Sequence, residues 1–198
     1  IWCVPKYSNP QGIVYSDAVV DRLAALRPAA PDFALMWDNA YCLHEVYGEF
    51  VPFRDMLTLC REAGNADMVY EFASTSKITF PGAGVSAIAC SENSMKYICK
   101  RFSEFSVQAM RHVRFLQDKA HVLELMQRHA AILRPKFEAV LAALRGIAPL
   151  GIASWTEPKG GYFISCDAMP GTAKRVLALC AEAGVTMTPA GATYPGGN

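Results

Sequence analysis

Phe33-Ala34-Leu35-Met36-Trp37-Asp38-Asn39-Ala40-Tyr41 is the stretch whose reading decides the fold. Its first five residues are apolar without alternation, and polar residues bound the run. That pattern predicts a strand buried on both faces of a parallel sheet, since alternation arises where one face meets water. Asp38 then falls at the carboxyl end of the strand, where open α/β sheets bind their ligands.

The neighbouring segments supply the rest of such a sheet. Upstream, Ile1-Trp2-Cys3-Val4-Pro5 reads as a buried strand, followed by a loop from Lys6 to Gly12. A helix follows from Ser16, whose hydroxyl is a suitable cap, with Val19, Val20, Leu23 and Leu26 at helical spacing. Downstream come a loop to Val51, a helix from Met56 to Ala63, a strand from Met68 to Ala73, a Ser/Gly/Pro loop from Ser74 to Gly84 and a strand from Val85 to Cys90. Strands alternating with helices argue for an α/β fold with crossover connections.

From Met95 to Arg145 the pattern is helical, with a break expected at Pro135, and Phe102, Phe105, Phe115 and Met126 read as helix core. Beyond it, Ser154–Thr156 and Gly161–Ser165 read as strands joined by a turn over Glu157 to Gly160. A helix from Gly171 to Ala183 and a last strand from Val185 to Thr188 follow. The predicted organisation is a three-layer, mainly parallel sheet over residues 1–120, ending in a long helix, and a small α+β domain over 121–198.

Composition excludes several classes. The chain has 198 residues, 52% of them hydrophobic, and its 19 Lys plus Arg balance 18 Asp plus Glu. There is no basic surplus for phosphate backbones or anionic membranes, so no nucleic acid and no membrane is expected as a partner. No apolar run approaches the roughly 20 residues of a bilayer span, and the first residues lack a leader pattern, which reads as cytoplasmic. Most of the seven scattered cysteines read as small buried hydrophobes in a reducing compartment. The histidines, His44, His112, His121 and His129, lack metal-ligand spacing, so no metal is expected. Ile1 opens inside a strand and Gly196-Gly197-Asn198 closes on a turn, which reads as an excerpt of a longer chain.

Three short motifs can carry chemistry. Lys77 lies in Ser74-Thr75-Ser76-Lys77, just after a predicted strand. Most lysines are solvated charges, but a loop between buried strands can desolvate an amine into a nucleophile, and Ser74 and Ser76 offer hydroxyls to a phosphate. Asp38 is either a loop cap or the partner of a protonated ring nitrogen, with Tyr41 three residues on. Asn9, in Asn9-Pro10-Gln11-Gly12, is either turn chemistry or an amide donor held rigid by the proline.

Asn9, then Asp38 with Tyr41, then Lys77 occur in that order, each after a predicted strand. This set resembles the large domain of fold-type I pyridoxal 5′-phosphate (PLP) enzymes, the aspartate aminotransferase superfamily. Val4–Ser16, Thr75–Ala87, Ser154–Asp167 and Gly184–Gly197 look most like a bacterial aspartate-aminotransferase-like subgroup, and the resemblance spans nearly the whole chain. It implies that residues 1–120 are the second half of the PLP-binding domain. It implies that Lys77 holds PLP as a Schiff base and shuttles a proton. Asp38 would hold the ring nitrogen protonated, Tyr41 and Asn9 would bond the ring oxygen, and Ser74 and Ser76 would bind the phosphate. The implied reaction is a transamination between an amino acid, aspartate favoured, and a 2-oxo acid, by a homodimer.

One departure stands out. Many relatives place a phosphate-binding arginine seven or eight residues after the lysine, where this chain has Gly84 and Val85. Backbone N–H groups and hydroxyls of the loop are the expected substitute. The glycine-rich phosphate loop and the carboxylate-clamping arginine of the family have no counterpart in these residues, so no appreciable turnover is expected of them alone. The motifs do not determine which bond breaks, so β-lyase or decarboxylase chemistry stays open, as does a PLP-binding regulator domain without catalysis.

Overall fold

The computed structural model describes residues 1–80, 82–101, 109–189 and 191–192. A four-stranded sheet organises the first ninety residues, in the order β1 (Trp2–Cys3), β2 (Leu35–Asp38), β3 (Val69–Ser74) and β4 (Ser86–Cys90). The first three strands run parallel, with Cys3 opposite Trp37 and Asp38 opposite Phe72. β4 returns antiparallel to β3, with Ser86 opposite Ser74. The sheet is therefore mainly parallel, and the carboxyl ends of β1, β2 and β3 lie on one side with the start of β4.

Helices α1 (Asp17–Ala24) and α2 (Met56–Glu62) form where periodicity and caps predict them. Ser16 Oγ accepts the Val19 N–H, and Asp55 Oδ1 accepts the Thr58 N–H, each satisfying an otherwise orphan donor. Val20 and Ala24 of α1 and Met56 and Cys60 of α2 pack with Leu35, Trp37 and Val69 into the core on one sheet face. Burial of β2 alternates: Leu35 and Trp37 are buried, Met36 and Asp38 half-buried. The expectation of burial on both faces thus holds for one. On the other face Trp2 stacks on Phe72 at 6.4 Å and lies 69% exposed.

The helical stretch divides into α3 (Glu92–Cys99), α4 (Ala109–Leu116) and α5 (Lys119–Ile147). Phe102 and Phe105 fall outside the described residues, and Phe115, expected in a helix core, is 60% exposed. The break expected at Pro135 does not occur, because α5 runs through it. Its buried residues, Met126, Ala130, Phe137 and Leu141, form one stripe on both sides of the proline. Packing along that stripe offsets the roughly 3 kcal/mol a mid-helix proline costs.

In the last third, β5 (Ala153–Trp155) pairs antiparallel with β6 (Cys166–Ala168), and α6 (Ala173–Glu182) follows. Two expectations fail here. Residues 161–165 are not a strand, because Gly161 turns the chain at φ 78°, a left-handed conformation suited to glycine. Residues 185–188 form no strand either, and Val185 and Met187 are exposed. Among the cysteines, Cys3 and Cys60 are buried, Cys42, Cys90 and Cys180 half-buried, and Cys99 and Cys166 exposed, which corrects the reading of most of them as buried.

Candidate active site

The loop between β3 and β4 closes on itself at the carboxyl end of the sheet. Thr75 locks its base: the Thr75 N–H donates to the Val85 carbonyl at 2.9 Å, and the Val85 N–H to Thr75 Oγ1 at 2.8 Å. Within it, Ser74 Oγ donates to Ser76 Oγ at 2.9 Å and accepts the Ser76 N–H at 3.1 Å, so two hydroxyls sit side by side. Gly84 lies against this pair, where a Cβ would overlap Ser76 Oγ. A side chain at 84 would therefore require Ser76 to move.

Lys77 projects from this loop. Its Nζ stands 5.1 Å from the centroid of the Tyr41 ring, a cation–π distance. Lys77 is exposed, so the desolvation expected from the flanking strands is absent at its own position. Tyr41 is buried, edge-on to His44, Tyr162 and Phe163 at 5.6, 6.1 and 6.1 Å.

Asp38, the last residue of β2, is half-buried and finds neutral partners. Its Oδ1 accepts the Ala40 N–H at 3.0 Å and its Oδ2 the Trp2 indole N–H at 3.2 Å. The carboxylate is thereby oriented without a cation among the described residues. Asn9 is exposed, and among the described residues its side chain makes no hydrogen bond to Asp38, Tyr41 or Lys77. The structure thus brings Lys77 to Tyr41 and Ser74 to Ser76, sets Asp38 at the end of the strand leading to Tyr41, and leaves Asn9 apart.

Two features were not anticipated from the sequence. Lys6 is buried in an ion pair with Glu45, and its ammonium also donates to the carbonyls of Cys42 and Val51 at 2.9 and 2.7 Å. This pair ties the loop after β1 to the loop after β2. A charged residue inside the apolar phrase Val4-Pro5-Lys6-Tyr7 was the available signal. The second is the docking of residues 159–162. The Lys159 carbonyl accepts from Val46 and Tyr47, the Gly161 N–H donates to the His44 carbonyl at 2.7 Å, and Tyr162 Oη donates to the Lys77 carbonyl at 3.1 Å. A Cβ on Gly160 would strike the His44 carbonyl oxygen and come within 2.6 Å of the Tyr7 ring. Close approach is what requires glycine here.

Burial sets the local titration. It pushes His44 down to about 4, raises Tyr7 to about 12 with help from the Glu45 charge, and raises the Tyr162 phenol. On the core side of the sheet, burial and then the nearby Asp55 charge raise Glu71 to about 7. Among the described residues, no group of three His, Cys, Asp or Glu side chains is placed to hold a metal. No helix among them is long and apolar enough to cross a membrane.

Comparison with known proteins bears on this arrangement. The aspartate amino-transferase family model matches residues 1–198. An aspartate aminotransferase of Corynebacterium glutamicum is 43% identical over 201 residues, covering 98% of this chain and 46% of its own length. The solved structure of an aspartate transaminase from Corynebacterium glutamicum matches with a TM-score of 0.94 at 43% identity, covering 100% of this chain and 48% of that one. A kynurenine aminotransferase of Pyrococcus horikoshii, solved in complex with PMP, matches with a TM-score of 0.72 at 26% identity, over 95% of this chain and 46% of that one. The chain spans about half the length of the curated relatives it matches.

Proposed function

We propose, from the premise that this chain belongs to the aspartate aminotransferase family, that its full-length protein is a transaminase in which Lys77 holds PLP through its amine. The observation that carries the reading is a convergence at the carboxyl end of one parallel sheet: Lys77 Nζ lies 5.1 Å over the Tyr41 ring, and Asp38 closes the strand that leads to Tyr41.

The donor set fits that cofactor. It offers a primary amine for an aldehyde, a carboxylate for a ring nitrogen, a phenol for a ring oxygen and two adjacent hydroxyls for a phosphate. Asp38 is held in one orientation by the Ala40 and Trp2 N–H groups, as a carboxylate facing a pyridine nitrogen needs to be. Ser74 and Ser76, with the close backbone of Gly84, supply hydroxyls and N–H groups in place of the absent arginine. Asn9 is assigned to the ring oxygen from the motif alone. When bound, PLP supplies an electron sink for the charge that develops at the substrate α-carbon. Lys77 Nζ is the base that takes the proton from that carbon and returns it, and the Tyr41 ring holds the amine over the site.

Aspartate as the donor is supported by the name of the Corynebacterium glutamicum relative, with a 2-oxo acid as acceptor. The same reading makes residues 1–120 part of the cofactor-binding domain and 121–198 part of the small domain, a division supported by the start of α5 at Lys119. It also makes the full-length protein a cytoplasmic homodimer, which sedimentation of the purified protein tests.

The experiment is a pair of half-reactions. Adding aspartate to the PLP-loaded full-length protein should bleach its visible band, and adding a 2-oxo acid should restore it. Bleaching without restoration would point to elimination or decarboxylation instead. Lys77→Ala should abolish the cycle.

A further inference from the structure

The main-chain carbonyl of Lys77 accepts two hydrogen bonds, from Tyr162 Oη at 3.1 Å and from His44 Nε2 at 3.2 Å. Neither donor belongs to the lysine loop. His44 lies in the loop after β2, and Tyr162 follows the two glycines that dock against Tyr7 and His44. His44 is 3% exposed, with its ring 5.6 Å from Tyr41 and 5.2 Å from Tyr162. Its Nδ1 is buried without a hydrogen-bond partner among the described residues.

Those two facts together assign the tautomer. A carbonyl oxygen only accepts, so Nε2 carries the hydrogen and Nδ1 is left as a bare acceptor. The titratable groups that act on the ring are His129 and Lys77, which disfavour a second proton, and Glu45, which favours it; Tyr41 and Tyr162 supply the aromatic walls. Burial outweighs the Lys77 carbonyl hydrogen bond and the Glu45 charge, which both favour a second proton, and keeps the ring neutral.

We propose that His44 and Tyr162 are positioning residues that clamp the Lys77 carbonyl to the Gly160–Gly161 segment, so that a displacement of this segment moves the lysine. The proposal rests on Lys77 being the cofactor-holding residue. A carbonyl that loses one donor keeps the other, whereas loss of both leaves it unsatisfied. A small misplacement of a reacting amine is costly to the rate, up to about 100-fold for about 1 Å. The effect should therefore appear in kcat rather than in KM.

The test uses the full-length PLP-loaded protein with 15N-labelled histidine. His44 should show the neutral Nε2–H tautomer from about pH 5.5 to about pH 8. Relative to the unmodified protein, His44→Leu should lower kcat about tenfold and Tyr162→Phe about threefold, with KM changed less than about twofold. His44→Gln, whose amide nitrogen reaches the position of Nε2, should restore kcat to within about threefold. The double variant His44→Leu/Tyr162→Phe should fall below the product of the two single effects. An Nδ1–H tautomer, an imidazolium at neutral pH, or unchanged kcat in both single variants would overturn the clamp. The tautomer is read whether or not Lys77 carries PLP. Absence of a visible band in the unmodified protein therefore counts against the Lys77 reading, while the tautomer tests the clamp on its own.

Discussion

The sheet region and the carboxyl-terminal region are both rich in patterned apolar residues, yet they use them differently. Around β2, Leu35, Trp37, Val69, Val20, Met56 and Cys60 are essentially inaccessible and share one core. In α6 no residue is buried, and Val176 and Leu179, with Val185 and Met187 beyond the helix, lie exposed. The carboxyl-terminal region meets the loops after β1 and β2 through two glycines and the lysine loop through the Tyr162 hydroxyl. Apolar burial holds the platform, and close backbone approach holds the site.

That contrast can be broken by substitution, beginning with the largest effect. Trp37→Ala should cost about 4 kcal/mol in urea unfolding, as cavity-forming truncations of large core aromatics do. Lys6→Met should cost about 3 kcal/mol or more, because it strands the buried Glu45 carboxylate. Gly160→Ala should cost about 2 kcal/mol by overpacking against His44 and Tyr7, and should depress activity more than stability. Leu179→Ala in α6 should stay within about 0.5 kcal/mol. Equal losses for Trp37→Ala and Leu179→Ala would dissolve the distinction between the two regions.

Acidity offers a finer probe. His44 sits near 4 in the folded chain against an ordinary 6.5, so the unfolded chain takes up a proton that the folded one refuses. Stability is therefore lost as pH falls from 6.5 towards 4, by up to about 3 kcal/mol. Glu71 works in the opposite sense: raised to about 7 from 4.5, it keeps a proton that the unfolded chain releases, so stability is lost as pH rises from 4.5 to 7. The windows overlap and oppose. His44→Gln should remove the first contribution, and its unfolding free energy should then decline as pH rises through this range. An unchanged pH profile in that variant would mean that His44 is not held neutral.

Legibility in the sequence followed how local each cause is. The cap at Ser16, the apolar run before Asp38 and the strand pattern from Met68 to Ala73 act within a few residues, and α1, β2 and β3 appear where expected. The placement of Asp38, Tyr41 and Lys77 at the carboxyl end of the sheet was legible because each lies at or just beyond the end of a parallel strand, while their roles are proposals. Pro135 misled because the cost of a proline is local whereas the stripe from Met126 to Leu141 is tertiary. Residues 161–165 misled because Gly161 serves a contact more than 100 residues away in sequence, at the His44 carbonyl. His44 and Lys6 escaped notice for the same reason: their partners, Lys77 and Glu45, are distant along the chain.

The central claim, that Lys77 is the residue holding PLP, is tested most directly by borohydride reduction of the loaded full-length protein followed by peptide mass mapping. A phosphopyridoxyl group is expected on the peptide containing Lys77, and none on any peptide of Lys77→Ala treated alike. A reduced adduct on another lysine, or no adduct with PLP in excess, would contradict it.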